Sequence, residues 1–88
     1  MAFKKSRLGL LPFERCPADN EWISEKLGYL NESERRTVCK AYSKAYREAV
    51  ENEPLERKQI NKGRFAANTR LRVFIEKRLK RLATFNRN

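Results

Sequence analysis

Apolar residues recur at steps of three and four along two long stretches of the chain, and this spacing restricts the possible folds most. It is typical of amphipathic helices that bury one face. No segment alternates with a period of two for long enough to predict a strand, so the sequence predicts an all-α fold. The apolar positions are Val38, Ala41, Tyr42, Ala45, Tyr46 and Ala49 in the first stretch, and Ala67, Leu71, Phe74, Ile75, Leu79 and Leu82 in the second.

Capping residues set the bounds of the first two of three predicted helices. The first helix covers about 18–27, because acidic residues stand in its first turn and Gly28 follows as a C-cap. Asn31 and Glu34 have the spacing of a capping box. This capping box predicts the start of a second helix over 32–52.

The third predicted helix covers about 64–83. It follows a polar connector over 54–63, which begins at Pro54 and is expected to end where Gly63 interrupts helical structure. The second and third helices are long enough to form an antiparallel hairpin, with the first helix packed across it. A chain of 88 residues has room for one compact core, so we expect a single small helical domain over 16–88.

Residues 1–15 are predicted to form a basic N-terminal arm, because they mix cations with Gly9 and Pro12 and have no sustained period. One interpretation is a tail whose apolar residues pack onto the core. The alternative is an arm that becomes ordered on a phosphate backbone. The candidate binding residues of this arm are Lys4, Lys5 and Arg7.

The charge is large and unevenly distributed. The net charge is +10, from 21 basic and 11 acidic residues. Segment 16–34 is acidic, whereas segment 63–88 has eight basic residues against the single acid Glu76. A balance of this kind indicates a polyanion or an acidic protein surface as the partner.

Cations also form rows along the two long predicted helices. On a helical wheel the cations of the second helix lie opposite its apolar stripe. The cations of the third helix lie along both edges of its stripe. A solvated face would more often mix the two signs of charge, so we interpret the rows as candidate binding residues. They are Arg36, Lys40, Lys44 and Arg47 in the second helix, and Arg70, Arg72, Lys77, Lys80 and Arg81 in the third.

Residue types alone argue against several function classes. The chain has no His, which removes His-based acid–base catalysis and His metal ligation. Cys16 and Cys39 form no CxxC pair, and we expect two free thiols, with a single disulfide as the alternative. No apolar run is long enough to cross a bilayer. We therefore expect a cytoplasmic protein with no enzymatic activity, metal or cofactor.

One short segment resembles a known family. Residues 64–71, with the sequence Arg-Phe-Ala-Ala-Asn-Thr-Arg-Leu, look like a helical segment of phage rolling-circle replication initiators. Those enzymes need a His metal motif, and this chain has no His, so the resemblance implies no catalytic role. As a short, basic, helical chain, the protein is also similar in kind to the small accessory proteins of temperate bacteriophages. That resemblance implies a phage accessory factor.

These features together predict a nucleic-acid-binding protein that is not an enzyme. Its basic helix faces are expected to bind DNA or RNA phosphates, with little base specificity. The alternative is an inhibitor or modulator that presents the same basic surface to an acidic or DNA-binding groove of a larger host enzyme. The acidic first helix favours this protein partner, because it would repel nucleic acid. Neither prediction involves a membrane or a small-molecule substrate.

Overall fold

Three α-helices make up most of the structure, a computed structural model that describes residues 3–6 and 9–85, with side-chain exposure described for 10–82. They are α1 (Asn20–Leu27), α2 (Glu32–Asn52) and α3 (Glu56–Phe85). A short 3₁₀ helix, Pro17–Asp19, precedes α1, so the first predicted helix divides into two pieces. The prediction of a mostly helical fold with three helices is confirmed.

The start of α2 is fixed by a complete capping box. The Asn31 side chain accepts a hydrogen bond from the backbone N–H of Glu34 at 2.8 Å. The Glu34 carboxylate accepts one in return from the backbone N–H of Asn31 at 3.0 Å. Two otherwise unpaired donors at the helix N-terminus are thereby satisfied. The predicted capping box and the predicted bounds of α2 are confirmed.

The predicted start of α3 is wrong, because the helix begins at Glu56 and continues without a break through Gly63. A Cβ atom at position 63 would lie 3.0 Å from two ring carbons of Tyr46 and 3.0 Å from Cγ2 of Val50. Glycine in a helix interior costs about 1 kcal/mol relative to alanine. Here its lack of a side chain lets the α3 backbone approach α2 closely. The glycine therefore marks a helix–helix contact and not a connector.

Helices α2 and α3 form the predicted hairpin. Near the connection, Gly63 of α3 lies against Tyr46, whereas at the other end Arg78 of α3 pairs with Glu34 at 3.1 Å. As the residue numbers increase along α3, the numbers of the residues that it contacts on α2 decrease. The two helices are therefore antiparallel. With its 30 residues, α3 is about 45 Å long and accounts for most of the 51 Å length of the molecule.

Two short strands correct the prediction that the chain contains none. They are β1 (Phe3–Ser6) and β2 (Gly9–Pro12), which pair antiparallel with Ser6 opposite Gly9. Each has four residues, too few for an alternating pattern to be recognised in the sequence. Burial of Leu11 in the core ties β2 to the helices.

One continuous core draws on β2 and all three helices. Tyr42, Ile23 and Leu71 are among its largest fully buried side chains. Of the alanines on the two predicted apolar stripes, Ala45 and Ala67 are buried, whereas Ala41 and Ala49 are half-buried. Among the described residues, the core cluster consists of Leu11, Ile23, Leu27, Leu30, Val38, Cys39, Tyr42, Ala45, Tyr46, Ala67, Leu71 and Ile75.

The two cysteines are unpaired in the structure, as predicted. Cys39 is buried in the core, whereas Cys16 is half-buried at its edge. Burial raises the pKa of the Cys39 thiol to about 11, although Arg15 and Arg35 oppose the shift. Cys39 is therefore a packing residue that stays protonated at neutral pH.

Candidate nucleic-acid interface

The predicted binding cations of the helices all reach solvent. All nine side chains are exposed, four on α2 and five on α3. Of the arm residues, Arg7 and the side chains of Lys4 and Lys5 lie outside the described part of the structure. The exposed cations are Arg36, Lys40, Lys44, Arg47, Arg70, Arg72, Lys77, Lys80 and Arg81.

The four cations of α2 lie on the side of the helix that faces away from the core. Because buried Val38 and Tyr42 occupy the opposite side, the row from Arg36 to Arg47 runs along the outer surface for about 16 Å. Arg36 pairs with Glu32 at 2.8 Å, one turn earlier on the same helix. An exposed pair of this kind contributes only about 0.3–0.5 kcal/mol, so an anionic partner can displace it at little cost.

The cations of α3 lie on two sides of that helix. Arg70 borders an apolar groove between α2 and α3, together with Thr37, Ala41 and Phe74. Lys77 and Arg81 follow Arg70 at helical spacing, so the three share one edge of α3. The five cations of α3 therefore do not form one continuous surface.

Arg72, on the opposite flank of α3, packs against α1. Its guanidinium carbon lies 5.7 Å from the centre of the Trp22 ring, and the Lys26 ammonium lies 5.8 Å from the same centre. Trp22 itself is half-buried and packs at the core's edge. The contact with the indole thus favours this position of Arg72 on the surface.

A second set of polar and charged residues joins α3 to α2 and to the start of α1. Arg64 donates two hydrogen bonds to the Asp19 carboxylate, at 2.9 and 2.8 Å. Asn68 donates a third, at 3.1 Å, and its side-chain oxygen accepts a hydrogen bond from the Tyr42 hydroxyl. We call these four residues the polar seam. Asn68 thus links α3 to α2 as well as to Asp19.

The polar seam explains the ionisation of its members. Hydrogen bonding from Arg64 holds the pKa of Asp19 below its usual range, although burial of the carboxyl works in the opposite direction. Burial raises the pKa of the Tyr42 hydroxyl, which therefore stays protonated and remains a donor. In the sequence, Asp19 is one of the acidic residues at the start of the first predicted helix. That position does not reveal the partner that α3 brings to it.

Two further arginines bind backbone carbonyls. Arg35 Nε donates to the carbonyl oxygens of Leu27 and Leu30, each at 3.0 Å, and so satisfies the C-terminal end of α1. Arg15 donates to the Pro12 carbonyl at 2.8 Å and to the side-chain oxygen of Asn20 at 2.6 Å, and so ties the end of β2 to α1. Sequence reasoning gave neither arginine a role, and their partners become apparent only once the elements pack.

An open groove follows α3 beside the polar seam. Its volume is about 360 Å³, and Phe65, with 74% of its surface exposed, forms part of its wall. Sequence reasoning did not select Phe65, although the residue lies off the apolar stripe, which is the signal that could have found it. The lining residues are Asn61, Arg64, Phe65, Asn68, Thr69 and Arg72.

Neither a metal cluster nor a membrane span is found in the described part of the chain. No three Cys, Asp or Glu side chains lie close enough there to hold a metal ion. None of the helices in this part is long and apolar enough to cross a membrane. Comparisons with protein-family models, curated proteins and solved structures found no match. The exposed cations and the grooves of the surface are therefore the evidence that bears on the class of protein.

Proposed function

We propose that this protein is a non-enzymatic nucleic-acid-binding protein that uses the exposed cations of α2 and α3 to bind phosphates of DNA or RNA. The observation that carries the proposal is the separation of two sets of basic residues. Arg15, Arg35 and Arg64 have inward partners, whereas all nine predicted binding cations are exposed. The exposed set is therefore accessible to a partner outside the chain.

The electrostatics of this arrangement favour an anionic partner. The row on α2 places Arg36, Lys40 and Lys44 one turn apart, and like charges at this spacing repel one another. A phosphate backbone would neutralise the row and release its own condensed counterions, which drives association. The net charge of +10 also attracts a polyanion from a longer distance.

Little base specificity is expected from such a surface. Flexible lysines and arginines on the outside of a helical hairpin contact phosphates and sugars without reading base edges. A catalytic role is not part of the proposal, because the chain has no His, the side chain that most often serves as the general base.

Charge reversal on the two rows tests the proposal. Lys40→Glu/Lys44→Glu and Lys77→Glu/Arg81→Glu change exposed residues, so we expect normal melting. We expect weaker binding to DNA and RNA, with the salt dependence flattened by nearly one unit of logarithmic slope for each phosphate that the variant no longer neutralises. Fluorescence anisotropy over a series of salt concentrations measures both quantities.

Lys58→Glu/Lys62→Glu is the matched control. It has the same spacing and the same change of charge, and both lysines are exposed on α3 but lie outside the predicted rows. The control should retain more affinity than either row variant. An equal loss in all three would mean that net charge alone drives binding, and wild type without a steep salt dependence would contradict the proposal.

The second candidate function is docking to a protein, as an inhibitor or modulator of a host nucleic-acid-processing enzyme. Exposed Leu79 and Leu82 lie among the cations at the end of α3, and a protein groove suits such a mixed surface better than phosphates do. If wild type binds nucleic acid weakly while the row variants lose a host protein in nuclease-treated pull-downs, this candidate replaces the first. Either function would suit a phage accessory factor, the kind of protein that the sequence resembles.

A further inference from the structure

Phe65 is the most exposed large apolar residue among those whose side chains the structure describes, with 74% of its surface accessible. It lies in the middle of α3, two residues after the close contact at Gly63 and two residues before buried Ala67. Position 65 therefore points away from the hairpin interior. Packing among the residues whose side chains the structure describes gives no reason for an aromatic residue there.

The surroundings of Phe65 are polar, positively charged and held in place. Arg64 and Asn68 are fixed by Asp19, and the Arg72 guanidinium lies over the Trp22 ring. These three side chains border the same groove of about 360 Å³ as Phe65. A site whose walls are already ordered loses less side-chain entropy when a ligand binds.

We propose that this groove binds an unpaired nucleobase, which stacks on the Phe65 ring. The amide of Asn61 and the hydroxyl of Thr69 can hydrogen-bond to the edge of the base, and Arg72 can bind the adjoining phosphate. Asp19 already neutralises much of the Arg64 charge, so Arg72 is the groove's main source of attraction for an anion. The inference rests on the proposed function and adds a preference for single strands.

The preference follows from access to the face of the base. In a duplex both faces of each base are stacked on neighbours, whereas in a single strand a base can turn out onto an aromatic side chain. The basic rows attract both forms through their phosphates. The Phe65 groove can distinguish them, because only the single strand offers a free face.

Phe65→Ala tests the inference in the full-length protein. Loss of one stacked base should weaken binding to a single-stranded oligonucleotide by about 5- to 150-fold, and binding to a duplex of equal length should not change. The salt dependence should keep its slope, because no phosphate contact is removed. Phe65→Trp should restore the preference, since it preserves a stacking surface.

Val73→Ala is the matched control, because Val73 is also exposed on α3, at 40%, but does not line the groove. It should leave both affinities unchanged. A single strand that carries 5-iodouracil should crosslink under light to the peptide that contains Phe65. Loss of this crosslink in Phe65→Ala, with melting unaltered, would place the base at the groove.

The outcomes separate the two proposals. If wild type binds both forms with a steep salt dependence and Phe65→Ala behaves like wild type, the stacking inference is wrong and the proposed function stands. Equal losses on single strand and duplex would also overturn the inference, because stacking predicts a difference. If wild type binds neither form, the proposed function fails and the inference fails with it.

Discussion

The polar seam and the outer face of α2 both contain arginine but use it in opposite ways. In the seam, Arg64 holds the Asp19 carboxylate through two hydrogen bonds, and only 40% of its side-chain surface remains exposed. On the outer face, Lys44 and Arg47 are exposed and extend from a helix whose opposite side forms the core. A count of charge along the sequence treats all of these cations alike.

The difference shows that a basic residue must be assigned by its partner before it is assigned a function. Arg64 and Arg70 are six residues apart on the same helix and carry the same charge. Arg64 stabilises the fold only because the segment around Asp19 packs against α3. The comparison therefore predicts large effects on stability for inward positions and small ones for outward positions.

The largest effect is expected where α3 touches α2. In Gly63→Leu the new side chain would meet the Tyr46 ring and Val50, which already lie 3.0 Å from the position of a Cβ atom. Overpacking of this kind should lower the free energy of unfolding by about 3 kcal/mol. Urea denaturation followed by circular dichroism measures the loss.

The neighbouring residue gives the control for that change. Lys62→Leu introduces the same side chain at an exposed position and should change stability by no more than about 0.5 kcal/mol. If Gly63→Leu were as stable as Lys62→Leu, the close approach of the two helices would be refuted.

An intermediate effect is expected in the polar seam. Asp19→Ala leaves Arg64 and Asn68 without their acceptor, and hydrogen bonds to a charged group contribute about 1.5–3 kcal/mol. Because water reaches the guanidinium, we expect a loss of about 2 kcal/mol in the free energy of unfolding. Glu21→Ala removes an exposed acid nearby and should cost about 0.5 kcal/mol at most.

The seam should also make stability depend on pH. The pKa of Asp19 is lower in the folded state than in the unfolded state, so the folded protein favours the ionised carboxylate. Its contribution is complete above the unfolded pKa of about 4 and is lost as the pH falls through the folded pKa. The difference in stability between wild type and Asp19→Asn should thus shrink below about pH 4. A constant difference down to about pH 2 would argue against this ion pair.

Local signals in the sequence were sufficient for much of the fold. The capping box of Asn31 and Glu34 involves residues three apart, so the start of α2 could be predicted without knowledge of the rest. The start of α3 could not, because the reason for Gly63 is its contact with Tyr46 on another helix. The strands escaped prediction because each is only four residues long.

The candidate site likewise has parts that local sequence signals predict and parts that depend on contacts between elements. Helical spacing was enough to predict that the nine cations are exposed, because exposure follows from the face that the core leaves free. The partner of Asp19 depends on where α1 and its leading turn pack against α3. Phe65 could be recognised as a candidate only when its exposure and its groove were known.

The smallest effect is expected on the outer face of α2. Lys44→Ala and Arg47→Ala remove exposed side chains from a helix, and alanine is at least as good a helix former as either residue. Each should change the free energy of unfolding by no more than about 0.5 kcal/mol, and the two changes together should be close to additive. Urea denaturation at low and high salt measures both. A loss above about 1 kcal/mol would mean that these cations stabilise the fold as Arg64 does, because substitutions of exposed residues rarely cost so much.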